Sequence, residues 1–238
     1  MVNIGIITLA TGKYNIFLNE FCKSVFTNFF PNYNKKIIYL TDDLDFKFDN
    51  SNAKKMFFKH ESWPFATLNK MKAINLCKSE LINCDIIFWM DVDLKVIDIV
   101  DSKKDVFPTL ENKICCVEHC GWLDENGNEV KHYPYERNPQ SKAYVEDIYK
   151  VPYHQACFFG GFYKNFFEMT EIIQKNIDED LQNNIIAVYH DESHLNKYFQ
   201  DYLPKTIPKI YARPIAMGNL LPQTKIISVL KNDHELRY

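Results

Sequence analysis

Residues 85–93 read Asp-Ile-Ile-Phe-Trp-Met-Asp-Val-Asp (DIIFWMDVD). Ile86 to Met90 form a short, wholly apolar run, the pattern of a strand buried on both faces. The run leads straight into two carboxylates, Asp91 and Asp93. Working outward, Ile4 to Leu9 (IGIITL), Lys36 to Leu40 (KIIYL), Lys55 to Lys59 (KMFFK) and Lys113 to Val117 (KICCV) read as further strands. Between the first two, Tyr14, Phe17, Leu18, Phe21, Cys22, Val25, Phe26 and Phe29 recur every three or four residues, one apolar helix face that Pro31 ends. Phe65, Leu68, Met71, Ile74, Cys77 and Leu81 predict a second helix, with Pro64 in its first turn. Tyr163 to Leu181 and Asp191 to Gln200 read as helices, and Ile226 to Leu230 as a late strand. This alternation predicts an α/β fold, a mostly parallel central sheet flanked by helices. No repeat or linker breaks residues 1–238, so a single domain is expected. The polar, turn-rich span from Cys120 to Tyr144 is longer than an ordinary connection, and such loops are usually functional or mobile.

Composition narrows the function classes. The 238 residues are 46% hydrophobic, 25% charged and 15% aromatic, enough apolar material for a large core. Only 7 are glycine, and neither GxGxxG nor GxxxxGK[ST] occurs, so any bound nucleotide phosphate must be neutralised without a glycine-rich loop. A net charge of -3 argues against a nucleic-acid partner. No apolar run approaches the roughly 18 residues that would mark a transmembrane segment. Met1 to Gly5 lacks the basic start of a signal peptide and reads as the entry to the first strand. The seven cysteines, an odd number without an export signal, suggest reduced thiols and a cytoplasmic location, at most peripheral to a membrane.

Four clusters carry chemistry. In open α/β sheets ligands bind beyond the carboxyl ends of strands. Asp91 and Asp93 would stand there, where two carboxylates can hold Mn²⁺ or Mg²⁺ against a diphosphate. The alternative is a solvated turn. His190-Asp191-Glu192-Ser193-His194 opens a helix. Its acids would suit the helix dipole as caps, and His190 with His194 allows a zinc site, although the zinc-hydrolase order H-E-x-x-H is not met. Cys115-Cys116-Val117-Glu118-His119-Cys120 suggests structural zinc, but Cys115 and Cys116 would face opposite ways on a strand, so core thiols are the better reading. His119, at the strand end, remains a functional candidate. Phe158-Phe159-Gly160-Gly161 holds two of the seven glycines, which implies a close backbone approach or a β-bulge.

Together Phe88–Asp93 (FWMDVD), Tyr135–Ala143 (YERNPQSKA), Phe158–Gly161 (FFGG) and Ala187–Tyr198 (AVYHDESHLNKY) resemble the motifs of glycosyltransferase family 6, in that family's order. That family includes the histo-blood-group A and B transferases and α-1,3-galactosyltransferase. The resemblance runs from about Asn3 to the C-terminus, without the anchor and stem of animal members. It implies a GT-A-type fold and retaining transfer of galactose or N-acetylgalactosamine from a UDP-sugar to the 3-OH of a galactoside-terminated glycan.

Residue by residue, the resemblance makes Asp91 and Asp93 the ligands of Mn²⁺ or Mg²⁺ and sets Val92 beside the ribose. Leu9, Ala10, Thr11 and Tyr14 match the uracil-binding segment. Trp63 and Lys70 match a Trp and an Arg of the donor site. Glu192 matches the carboxylate beneath the anomeric carbon, and Asp191 its neighbour on the donor sugar. Gln155-Ala156-Cys157 matches the segment that separates galactose from N-acetylgalactosamine, though it equals none of the animal patterns. His119 and Tyr189 match acceptor positions, Tyr189 replacing a Trp. Two further acceptor positions appear as Pro134 and Pro214. Lys231 and Arg237 match basic residues of a tail that closes over the diphosphate. Arg237 is one of only three arginines in the chain. The alternative to an enzyme is a sugar-nucleotide- or glycan-binding protein without turnover.

Overall fold

The computed structural model describes residues 2–123, 129–130, 133–146, 152–218 and 221–229. Its strands are β1 (Asn3–Ala10), β2 (Asn34–Thr41), β3 (Ala53–Phe57), β4 (Ile86–Met90), β5 (Leu94–Val96), β6 (Ile114–Glu118), β7 (Trp122–Leu123), β8 (Glu129–Val130), β9 (His154–Phe162), β10 (Lys205–Ile207), β11 (Arg213–Pro214) and β12 (Ile226–Ser228). Its α-helices are α1 (Leu18–Asn28), α2 (Phe65–Leu68), α3 (Lys70–Leu76), α4 (Lys103–Val106), α5 (Tyr163–Gln182) and α6 (His190–Asp201). No helix among the described residues is long and apolar enough to cross a membrane.

Seven strands form the central sheet in the order β10-β6-β9-β4-β1-β2-β3. β1 pairs in parallel with β2 and β4, β2 with β3, and β6 with β10. Only β9 runs antiparallel, between β4 and β6. Alternate residues feed two apolar layers, as the pleat requires. Phe88, Met90 and Cys115 pack with α1, whereas Ile87, Trp89 and Cys116 pack with α3, α5 and α6. The two adjacent cysteines therefore face opposite sides of the sheet, and the Cys120 thiol donates to the Ala212 carbonyl at 3.5 Å. All three are buried core thiols.

Several sequence expectations need correction. The helix expected from Phe65 to Leu81 is three short pieces: α2, α3 and a 3-10 turn at Lys78–Leu81. The first helix likewise begins as a 3-10 segment, Gly12–Phe17. The late strand stops at Ser228 and belongs to a separate small sheet with β5 and β11. The long connection after Cys120 holds the β7–β8 pair.

The glycine pair also has a different explanation from a ligand contact. Gly160 lies opposite Phe88 and Gly161 opposite Ile114 in regular register. A Cβ on Gly160 would meet the Phe88 ring at 2.3 Å and the Ile87 carbonyl at 2.7 Å. The close approach is to the protein's own core. Gly160→Ala is therefore expected to overpack the sheet and lower stability by at least about 2 kcal/mol, read as a lower urea midpoint. The ladder irregularity lies upstream, where β6 shifts register between Cys116 and Glu118.

Candidate active site

The site is built at the carboxyl ends of β1 and β4. Because β9 is antiparallel to β4, its amino end reaches the same edge. There the register shift takes Gln155–Phe158 out of the regular β6 pairing, and the Cys116 thiol donates to the Gln155 carbonyl at 3.3 Å. A bulge of this kind frees backbone groups for other partners. The Cys157 carbonyl accepts from Asp91 N–H at 2.8 Å. The Ala156 N–H donates to Glu192 Oε2 at 2.9 Å, and the Ala156 carbonyl accepts from Lys70 Nζ at 2.9 Å. Gln155 and Cys157 are half-buried beside these contacts.

Lys70 is the electrostatic centre. Its ammonium lies 2.8 Å from Asp191 Oδ2, 3.3 Å from Asp91 Oδ1 and 5.4 Å from the Trp89 ring centroid. With the Ala156 carbonyl, its three protons meet three oxygen acceptors. Burial works against this charge, but Asp191 and Asp91 outweigh it and raise the Lys70 pKa. Burial also raises the pKa of Asp191, opposed by Lys70. Trp89 Nε1 donates to Asp91 Oδ1 at 2.7 Å and so orients that carboxylate. Asp93 is buried, and its carbonyl accepts from Val229 N–H at 3.0 Å.

Glu192 is half-buried on α6. Burial, with Asp191 adding to it, raises its pKa from 4.5 to about 7 against the opposing Ala156 N–H, the Tyr153 hydroxyl and Lys70. Neither Asp191 nor Glu192 caps α6, which has no side-chain cap bond. Both acids stand in the first turn of α6, where the helix dipole suits them, but their carboxylates reach Lys70 and the Ala156 N–H instead of making a cap bond.

The zinc reading of the two histidines fails on geometry. His190 has φ 48° and its ring packs edge-on against Trp63, 5.1 Å away. His194 is buried with Nε2 3.5 Å from Asp180. Burial, opposed by Asp180 and Glu136, lowers the His194 pKa to about 4. Asp180 also takes Ser141 Oγ at 2.6 Å and Lys142 N–H at 2.7 Å, which ties the Tyr135–Ala143 motif to α5 and α6.

Beside Glu192 lies an aromatic wall. The Tyr133 and Tyr153 rings stack at 5.2 Å, and His119 meets each of them at 5.6 Å. Burial lowers the His119 pKa to about 4. His119 Nδ1 accepts from Gly121 N–H at 3.0 Å, so the neutral ring carries its proton on Nε2. Tyr189 precedes α6 and is partly exposed. Pro134 is half-buried next to Tyr133, whereas Pro214 sits on β11.

At the end of β1, Leu9 packs against the α3 side of the core and Ala10 is buried on the α1 side. Thr11 Oγ1 meets His60 Nδ1 at 3.0 Å, and Tyr14 packs edge-on against Phe17. Val92 packs within the α1 layer. Trp63 is 62% exposed at the site's rim. Lys231 and Arg237 lie outside the described residues. Sequence reading missed Trp89, Tyr153 and Asn196 as site residues. Only Asn196 left a local signal, its i+4 spacing from Glu192.

The whole chain, residues 1–238, matches the family model described as Glycosyltransferase family 6. The chain belongs to glycosyltransferase family 6. Its seven-stranded, mostly parallel sheet flanked by helices is the GT-A-type fold. Curated relatives of this family 6 chain include the O-antigen biosynthesis glycosyltransferase WbnI of Escherichia coli, 27% identical over 234 residues, 98% of this chain and 95% of that one. The globoside α-1,3-N-acetylgalactosaminyltransferase 1 of Gallus gallus is 28% identical over 218 residues, covering 87% of this chain and only 60% of the chicken protein. The histo-blood group ABO system transferase 2 of Rattus norvegicus is 26% identical over 249 residues, 98% and 71% of the two chains. The protein is a glycosyltransferase.

Proposed function

We propose that this glycosyltransferase moves galactose or N-acetylgalactosamine from a UDP-sugar to the 3-OH of a galactoside acceptor, with retention and with metal assistance. The observation that carries the reading is the meeting of two sequence-distant acid pairs. Lys70 joins Asp91 at the end of β4 to Asp191 at the start of α6, and Glu192 stands alongside, half-buried and held by the Ala156 N–H. Relatives named for α-1,3 transfer of N-acetylgalactosamine and for blood-group transfer support the sugar class.

The donor set suits a hard cation. Among the described residues no three His, Cys, Asp or Glu groups gather into a metal site. Mg²⁺ and similar ions, however, are commonly held by one or two carboxylates with substrate phosphates and water. Asp91 and Asp93 would supply the protein oxygens, and the ion would neutralise charge on the departing UDP. Lys231 and Arg237 are assigned to the same diphosphate. Leu9, Ala10, Thr11, Tyr14, Trp63 and Val92 are assigned to the nucleoside.

Lys70 orients Asp191 toward the donor sugar. Glu192 meets the anomeric carbon on the face opposite UDP. Its carboxylate either bonds to that carbon as the UDP oxygen leaves with the electron pair, or stabilises the oxocarbenium-like transition state from that side. Either role needs Glu192 ionised, so turnover should rise with pH through about 7. Gln155, Ala156 and Cys157 line the donor sugar, while His119 and Tyr189 hold the acceptor.

The test is a donor-by-acceptor screen of purified protein with Mn²⁺. It crosses UDP-galactose and UDP-N-acetylgalactosamine with plain and fucosylated galactosides, and the product anomer is read by NMR. An α-1,3-linked product is expected, whereas absence of both UDP-sugar binding and turnover overturns the reading. Chelation by EDTA should abolish the activity and added Mn²⁺ restore it. Full activity in EDTA would remove Asp91 and Asp93 from a metal role.

A further inference from the structure

Asn196 is fully buried on α6, one helical turn beyond Glu192. Its side chain is hydrogen-bonded on both sides. Oδ1 accepts from His154 N–H at 2.9 Å, and Nδ2 donates to the His154 carbonyl at 2.9 Å and to the Glu192 carbonyl at 2.9 Å. An amide is the side chain that presents an acceptor and two donors at this reach. It pairs with His154 as a neighbouring strand would, at the point where β9 loses its regular pairing with β6. Two residues along β9, the Ala156 N–H holds the Glu192 carboxylate. One turn of α6 (192–196) is thus pinned at both ends across three residues of β9 (154–156).

We propose that Asn196 is a positioning residue for the transfer reaction. It locks the first turn of α6 to the bulged end of β9 and so fixes where the Glu192 carboxylate and the Gln155-Ala156-Cys157 segment stand relative to each other. The proposal rests on the role given to Glu192 above. Asn196 touches no substrate and acts through Glu192. Without the amide, the two elements keep their apolar packing through Leu195 and Phe199, but the carboxylate loses its register on the strand. A displacement of about an ångström at a reacting group costs on the order of 100-fold in rate.

The test is a double-mutant cycle with steady-state kinetics, UDP binding by calorimetry and thermal melting. Asn196→Ala is expected to lower kcat by about 10- to 100-fold, with UDP affinity within about twofold of the parent. Placed in the Glu192→Gln background, the same substitution should cause little further loss, because both act on one group. Parental kcat, an equal loss of UDP binding, or a full multiplicative loss in the Glu192→Gln background would each overturn the proposal. If Asn196→Ala does not fold, Asn196→Ser, which keeps a short polar group, takes its place in the cycle. Failure of both to fold would make Asn196 a folding residue only and equally overturn it. If Glu192→Gln alone keeps full kcat, the reading of Glu192 fails first, whatever Asn196 does.

Discussion

Glu192→Gln should lower kcat by about 1,000-fold while leaving UDP affinity within about twofold, because glutamine can neither attack the anomeric carbon nor carry the charge that stabilises it. The same change should make the protein more stable at neutral and alkaline pH. Burial raises the Glu192 pKa from 4.5 to about 7, so the folded chain holds this proton more tightly than the unfolded one. The favourable contribution of the protonated acid is therefore present below about pH 4.5 and is lost as pH rises through about 7. Glutamine has no charge to desolvate and can still accept the Ala156 N–H. At pH 8 a gain of about 1–3 kcal/mol is expected, a rise in Tm of roughly 3–10 °C, shrinking toward zero near pH 4. Kinetics and melting curves at the two pH values test both halves. Unchanged kcat would remove Glu192 from the chemistry. A variant no more stable at pH 8 than at pH 4 would mean that the native site does not disfavour the ionised carboxyl.

Lys70→Met should be damaging in both respects. The ammonium is buried between Asp191 and Asp91 and also holds the Ala156 carbonyl. Removing one partner of a buried ion cluster strands the other charge, at a cost of about 3–5 kcal/mol. In a chain of this size that is a fall in Tm of roughly 6–20 °C. The Asp191 pKa is already raised by burial, and without Lys70 it should rise further. The acid then remains protonated in the folded state to a higher pH, so the stability deficit should grow as pH increases and narrow toward acid. Turnover should be lost across this range, because Asp191 and the Ala156 backbone both lose their orienting contact. A Tm within about 2 °C of the parent at pH 8 would show that the cluster tolerates an uncompensated carboxylate.

These two residues also show how far the sequence could be read. Glu192 was recognisable within His190–His194 because the resemblance to family 6 is carried by contiguous residues. Lys70 could be aligned but not understood. Its two carboxylates lie 21 and 121 positions away, and its carbonyl partner 86 positions away. No local periodicity reports such contacts. Asp91 is similar: the apolar run before it announced a strand end, but the side chain that orients it, Trp89, looked like one more core residue.

The sequence by itself determined the strands and helices whose apolar pattern is strong, the acids at the end of β4, the acids at the start of α6, and through their motifs the family. Hydrophobic period and contiguous motifs are local properties, so they survive in one dimension. Only the tertiary structure decided that β9 runs antiparallel, that its register slips beside Glu118, and that the Ala156 backbone thereby meets Glu192 and Lys70. It also decided that Gly160 and Gly161 serve the core, and that His194 belongs to Asp180. Each of these depends on which distant segments pair and in which direction. That choice is set by the packing of two apolar layers against one sheet, and no short stretch of the chain carries it.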